Sequence, residues 1–291
     1  YNVTGIDNLS TGKLIFIKDI KHNKKFKFFK IDLFKEKKLY KYFKGNDVVF
    51  HLAANADVKN GFLKPKKDLE QNTIVTSNVL EAMRKNLIKK IIFASTGSIY
   101  GEPKNFPTKE NNPFPIQTSL YGSSKLASEA LIQSYCSGFG FNSTIFRFVS
   151  IMGSRYTHGH LFDFYKQLLK NKKKLKVLGN GLQKKSYLNI KDCVNAMIMA
   201  IKKNDKDVEI YNLGTNKFIT VKYSIKTLLK ILKLKPKIYY SGGKRGWIGD
   251  SPKIYLDTYK IRKIGWKPKK TIEESIKETI NFFIKNKRLF K

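Results

Sequence analysis

Tyr121 and Lys125 stand four residues apart in Tyr121-Gly122-Ser123-Ser124-Lys125. On a helix that spacing puts both side chains on one face. An ammonium beside a phenol favours the phenolate and lowers its pKa. Such a tyrosine can take a proton while hydride leaves the same carbon. Five other Tyr–Lys pairs share the spacing, from Tyr40 and Lys44 to Tyr259 and Lys263, as a lysine-rich chain would give by chance. Context sets Tyr121 apart: it opens a long helical pattern that follows an apolar run ending in Ser95-Thr96. A hydroxyl at that place can hold a substrate oxygen, although Ser95-Thr96-Gly97-Ser98 also reads as an ordinary polar loop.

Other residues invite chemistry with less support. Asp7 follows Val3-Thr4-Gly5-Ile6, and an acid at the end of a second Rossmann strand accepts hydrogen bonds from an adenosine ribose and disfavours a 2′-phosphate. It serves equally well as a turn cap. His51-Leu52-Ala53-Ala54 places small residues at a strand end, where a flat ligand can approach the backbone. His158 and His160 flank Gly159 without a third ligand at metal-binding spacing, so no metal site is expected. Cys193 shares an apolar helix face with Val194, Met197 and Ile198 and reads as core. Trp247 could line a sugar pocket or pack a loop.

The elements that must position these groups follow a regular rhythm. Val48–Leu52, Ile91–Ser95 and Ser143–Phe148 read as buried strands. Between them, Asp68–Asn86 carries Ile74, Val75, Val79, Leu80 and Met83 at helical spacing, and Leu120–Ser137 carries Leu126, Ala130, Leu131 and Tyr135 on one stripe. Strand and helix alternating in this way predict an α/β, Rossmann-like, doubly wound parallel sheet. Ligands of such sheets sit beyond the carboxyl ends of the strands. Residues 1–149 read as the dinucleotide-binding domain, with a return to the sheet near 187–213. Residues 150–291 read mainly as a smaller substrate-binding lobe, with helices near 160–171, 192–203, 222–233 and 271–286.

The net charge of +36 raises the question of nucleic acid. Only six of the 58 basic residues are Arg and the other 52 are Lys, spread over almost every helix and loop. Base readers favour the bidentate fork of Arg. No nucleic-acid motif accompanies the charge, so no specific nucleic-acid partner is expected. Two isolated cysteines, Cys136 and Cys193, suggest neither a disulfide framework nor a metal site and suit a reducing cytoplasm. No run of 18 apolar residues predicts a membrane span. The chain opens at Tyr1, inside a strand pattern, and the expectation is of a truncated chain that is inactive as it stands.

Taken in order, these pieces resemble the NAD-dependent epimerase/dehydratase family of extended short-chain dehydrogenases/reductases, nearest to the UDP-glucose 4-epimerases. The matching pieces are the acid after the second strand, His-Leu-Ala-Ala, Asn72, Ser-Thr-x-x-x-Tyr-Gly and Tyr-x-x-x-Lys. Arg147–Gly153, Gly179–Tyr187 with Ile190-Lys191-Asp192, and Arg245–Asp250 complete the set, so the likeness runs from about residue 3 to 285. The family's Gly-x-x-Gly-x-x-Gly turn is absent from these residues, Ser150 stands where the family has Asn, and Lys185 where it has Arg. The resemblance implies NAD held by Asp7, Asn8, Asp32, Leu33, Leu52, Ala53, Ala54, Asn72, Ser95, Tyr121, Lys125 and Phe148. It implies a nucleotide sugar, UDP-linked, held by Thr96, Tyr121, Ser150, Lys185, Tyr187, Arg245 and Asp250. Thr96, Tyr121 and Lys125 would be catalytic, in a transient oxidation and re-reduction, and a homodimer is compatible with the family. A 4,6-dehydratase or decarboxylase is the alternative on the same scaffold. It is disfavoured because Gly97 and Ser98 occupy the positions where those relatives carry acids. A non-catalytic NAD- or polyanion-binding protein is the alternative of another class.

Overall fold

Successive residues of a strand face opposite sides of its sheet, and Ile91, Ile92 and Phe93 are all fully buried, so this strand must be covered on both faces. The computed structural model, which describes residues 1–114, 116–203, 206–251 and 253–290, builds that arrangement. The first elements are β1 (Val3–Asp7), β2 (Phe26–Lys30) and β3 (Val48–His51). A broken helix follows, made of α1 (Pro65–Asp68), a π-helical stretch (Leu69–Ile74) and α2 (Val75–Lys85). Then come β4 (Lys90–Thr96), α3 (Leu120–Phe139), β5 (Asn142–Phe148) and β6 (Ser150–Met152).

The next elements are α4 (His160–Lys170), β7 (Lys174–Val177), β8 (Lys184–Lys185), β9 (Tyr187–Asn189), α5 (Ile190–Lys203) and β10 (Val208–Leu213). The chain continues through β11 (Ile219–Thr220), α6 (Val221–Leu232), β12 (Lys237–Tyr240), β13 (Lys253–Ile254), α7 (Tyr259–Lys263) and α8 (Ile272–Lys285). The central sheet is parallel in the order β10-β5-β4-β3. β1 and β2 form a separate parallel pair, so the expected single sheet is in two parts.

The strand pleat sorts the core. Ile91, Phe93 and Ile145 pack with Val79, Leu80, Met83 and Ile132 on the side of α2 and α3. Ile92, Phe146, Tyr211 and Leu213 pack with Cys193, Ala196 and Trp266 on the side of α5. β10 thus brings the chain back beside β5 after the first pass through the second lobe. That lobe has its own core, where Leu161, Phe164 and Leu168 of α4 meet Ile225, Leu228, Ile276, Ile280 and Phe283.

Two helices differ from their predicted form. Residues 68–86 are interrupted by the π-helical stretch, which adds a residue to the turn and leaves Ile74 38% exposed while Val75, Val79, Leu80 and Met83 stay buried. In α3 the predicted stripe of Leu126, Ala130, Leu131 and Tyr135 is not the most buried face. Gly122, Ser124, Lys125, Ser128, Glu129, Ile132 and Cys136 are buried instead. A polar face can be buried only where its groups find partners, and those partners build the site.

Candidate active site

α3 begins at the carboxyl edge of the sheet because Ser119 caps it. The Ser119 Oγ accepts the Gly122 N–H at 3.0 Å, satisfying one of the free donors of the first turn. Gly122 is required for close approach: a Cβ there would lie 2.9 Å from the Ser98 carbonyl oxygen. The start of α3 therefore rests on the 97–100 turn, and Tyr121 reaches the end of β4, where its hydroxyl is hydrogen-bonded to Thr96. Thr96 is fixed in turn, its Oγ1 accepting the Ser98 N–H at 3.1 Å. Removal from water pushes the Tyr121 phenol up to about 12, while the Thr96 bond acts to lower it.

Lys125 lies one turn further along the same face and is 1% exposed. Its ammonium donates to the Ala94 carbonyl at 2.8 Å and lies 4.6 Å from the centre of the Phe93 ring. Burial lowers its pKa to about 7, against an opposing pull from Glu129. Lys125 is therefore turned toward the strand, and Asp68 is the charged group whose field reaches the Tyr121 hydroxyl. An ammonium has three donors, and Ala94 accepts one of them. The unfilled donors suit ribose hydroxyls, which is the fit the expected cofactor requires.

Beneath this edge, Glu129 and Arg147 form an ion pair at 2.7 Å, with exposures of 0% and 2%. Arg147 also donates to the Tyr100 hydroxyl at 2.7 Å, and Ser95 Oγ donates to Glu129. Ser95, expected to contact cofactor, thus faces inward, because a buried carboxylate needs every donor it can reach. Asn72, also expected at the cofactor, is 0% exposed. Its Oδ1 accepts the Asn55 N–H at 2.8 Å and its Nδ2 donates to Ser124 Oγ at 2.8 Å, so it clamps the turn after β3 to α3. His51, the last residue of β3, is buried, bonded to Thr76 at 2.9 Å, and held near 3 by desolvation and then by the charge of Lys125.

The other cofactor-side residues gather at the strand ends. Asp7 Oδ1 accepts the Leu9 N–H at 2.6 Å, so it does cap its turn while remaining exposed. Asn8 Nδ2 donates to Asp32 Oδ2 at 3.3 Å, and the Leu33 carbonyl accepts from Asn78. Leu52 is 55% exposed beside the partly buried Ala53 and Ala54, an apolar surface at the sheet edge. Phe148 ends β5, its ring stacked 6.2 Å from Phe146.

On the second lobe, Asp250 organises three positions. Lys185 Nζ donates to Asp250 Oδ1 at 2.7 Å, Gly246 N–H to Asp250 Oδ2 at 2.9 Å, and Arg245 to the Asp250 carbonyl at 2.8 Å. Arg245 also pairs with Glu102 at 2.5 Å, a partner that sequence spacing did not suggest. Ser150 is exposed at the start of β6. Tyr187, expected at the substrate, is 2% exposed in the lobe's core, its hydroxyl 3.5 Å from His160 Nδ1. All three residues of β9 are buried. Cys193 lies in the core as expected, and Trp247 is partly buried with its indole N–H unpartnered.

A hydroxyl, a phenol and a buried ammonium at the carboxyl edge of a parallel sheet define an α/β protein equipped for proton-coupled redox chemistry on an alcohol. A sequence profile of the NAD dependent epimerase/dehydratase family matches residues 1–214. The chain belongs to that family. A Methanocaldococcus jannaschii protein assigned as a UDP-glucose 4-epimerase is 34% identical over 99% of this chain and 92% of its own length. The mouse dTDP-D-glucose 4,6-dehydratase is 29% identical over 82% of this chain and 68% of its own. The crystal structure of UDP-glucuronic acid 4-epimerase from Bacillus cereus, in complex with UDP-glucuronic acid and NAD, superposes with a TM-score of 0.88. It is 25% identical and aligns over 98% of this chain and 91% of that one.

Proposed function

We propose that the protein is an NAD-dependent epimerase of nucleotide sugars, acting on a UDP-linked sugar. The observation that carries this reading is the hydrogen-bonded Thr96–Tyr121 pair set one helical turn from the buried, under-coordinated Lys125. NAD, when bound, supplies a hydride acceptor that later returns the hydride. Tyr121 takes the proton of the sugar hydroxyl as the carbon beneath it is oxidised, and gives it back when the carbon is reduced on its other face. Thr96 holds the reacting oxygen. Lys125 offers its remaining donors to the nicotinamide ribose. Asp7 faces the adenosine ribose, and Lys185 and Arg245 face the diphosphate as point charge and fork respectively.

Elimination is the less favoured chemistry on this scaffold, because Gly97 and Ser98 follow Thr96 and neither supplies a carboxyl proton. The test is to incubate the protein with NAD and UDP-glucose or UDP-galactose and follow the epimer ratio together with absorbance of reduced cofactor. Interconversion without net reduced cofactor supports the reading. Loss of water from the sugar would favour a dehydratase instead.

A further inference from the structure

Arg245 is held by an acid from the other side of the site. Its Nη1 lies 2.5 Å from Glu102 Oε1 and also donates to the Asp250 carbonyl at 2.8 Å. A terminal guanidinium nitrogen carries two N–H groups, and these two contacts occupy both. Glu102 stands just past the turn that follows Thr96. Gly101 ends that turn at a φ of 55°, a conformation that favours glycine. The chain there meets the 245–251 loop, and Ser251 Oγ donates to the Gly101 carbonyl at 3.5 Å. Lys185, the other cation expected at the diphosphate, is held differently. It donates to Asp250 and to the Ser251 carbonyl, and the side chains of its pair with Asp250 are 13% and 3% exposed. Those of the Arg245–Glu102 pair are 43% and 42% exposed. Breaking a buried pair strands a charge, whereas an exposed pair is worth little. Of the two, the Arg245–Glu102 contact is the one weak enough to exchange.

We propose that Glu102 is an internal stand-in for the substrate diphosphate: its carboxylate holds Arg245 until a nucleoside diphosphate arrives and then gives the guanidinium up to it. This rests on the reading of Arg245 as a diphosphate contact. The exchange is between like groups. Glu102 offers one oxygen to one nitrogen. A phosphate can offer two oxygens to the guanidinium fork, and bidentate charge-assisted contacts are the stronger kind. Glu102 is already half in water, so its displacement strands no charge. The bond from Nη1 to the Asp250 carbonyl can persist through the exchange and keep the guanidinium oriented. A ligand gains Arg245 only by outcompeting Glu102, and its affinity is lower by what that pair is worth.

The test is calorimetry of UDP binding, in the presence of NAD, to the wild type, Glu102→Gln, Arg245→Met and the double variant. Both side chains are exposed, where substitution changes folding little. Glu102→Gln keeps the shape and removes the charge, and it should tighten UDP by about two- to fivefold, what an exposed ion pair is worth. In the Arg245→Met background the same substitution should have no effect. A general loss of negative charge near an anion would tighten UDP equally in both backgrounds, and that result would overturn the proposal. Arg245→Met alone should weaken UDP by at least about tenfold, the low end for losing a hydrogen bond to a charged group. Unchanged UDP affinity in Arg245→Met ends the reading of Arg245 as a diphosphate contact and the Glu102 proposal with it. Weakened UDP in Arg245→Met beside unchanged affinity in Glu102→Gln ends the Glu102 proposal alone.

Discussion

Replacing Lys125 with Met should abolish activity and at the same time stabilise the fold. Lys125 is 1% exposed, and burial holds its pKa at about 7 against the ordinary lysine value of 10.5. At pH 7 the folded protein holds this group half-charged while the unfolded chain holds it almost fully charged. At 1.36 kcal/mol per unit, the depressed pKa costs folding about 4 kcal/mol at pH 7. Losing the hydrogen bond to Ala94 offsets about 1 kcal/mol of the gain on removing it, which leaves Lys125→Met about 3 kcal/mol more stable. The sign with pH follows from proton counts. Between about 7 and 10.5 the unfolded chain binds a proton that the folded one does not, so wild-type stability from this group rises with pH. The advantage of the Met variant should therefore shrink over that interval. Urea unfolding of both proteins at pH 7 and at pH 10 measures it. A Met variant no more stable than wild type at pH 7, with a gap that does not change with pH, would refute the claim that Lys125 is held at the expense of the fold.

Tyr121→Phe should lower epimerisation by at least about 10²-fold, the low end for removing a general acid–base group, while NAD still binds. Steady-state rates and calorimetry check the two halves separately. Asp7 should make NAD preferred over NADP, and Asp7→Ala should narrow the ratio of their dissociation constants, since the exposed carboxylate disfavours a 2′-phosphate. Tighter binding of NADP by the unsubstituted protein would contradict that assignment.

Sequence periodicity determined the local elements of this protein. The apolar runs at 48–52, 91–95 and 143–148 are β3, β4 and β5, and the four helices predicted after residue 150 end within a few residues of their predicted bounds. The 3.6-residue repeat also put Tyr121 and Lys125 on one face, and the order of short motifs pointed to the family. These features are local, or ordered along the chain, and a single sequence carries them. Tertiary structure decided how the polar groups are satisfied. Asn72 reaches Ser124 across 52 residues, Ser95 reaches Glu129 across 34, and Arg147 reaches Glu129 across 18. No spacing rule relates such pairs, so Asn72 could be placed in a helix and Ser95 at a strand end from sequence, but neither could be seen to face inward. The burial of Tyr187 was hidden for a related reason, since the packing of β9 against β6, α5 and α8 sets it. Asp68 acquires its buried setting only when Asn55 and Gly61 are brought against it. The sequence supplies which groups are available, and the fold decides which remain unpartnered for a ligand, because burial leaves a polar group free only where no other part of the chain can reach it.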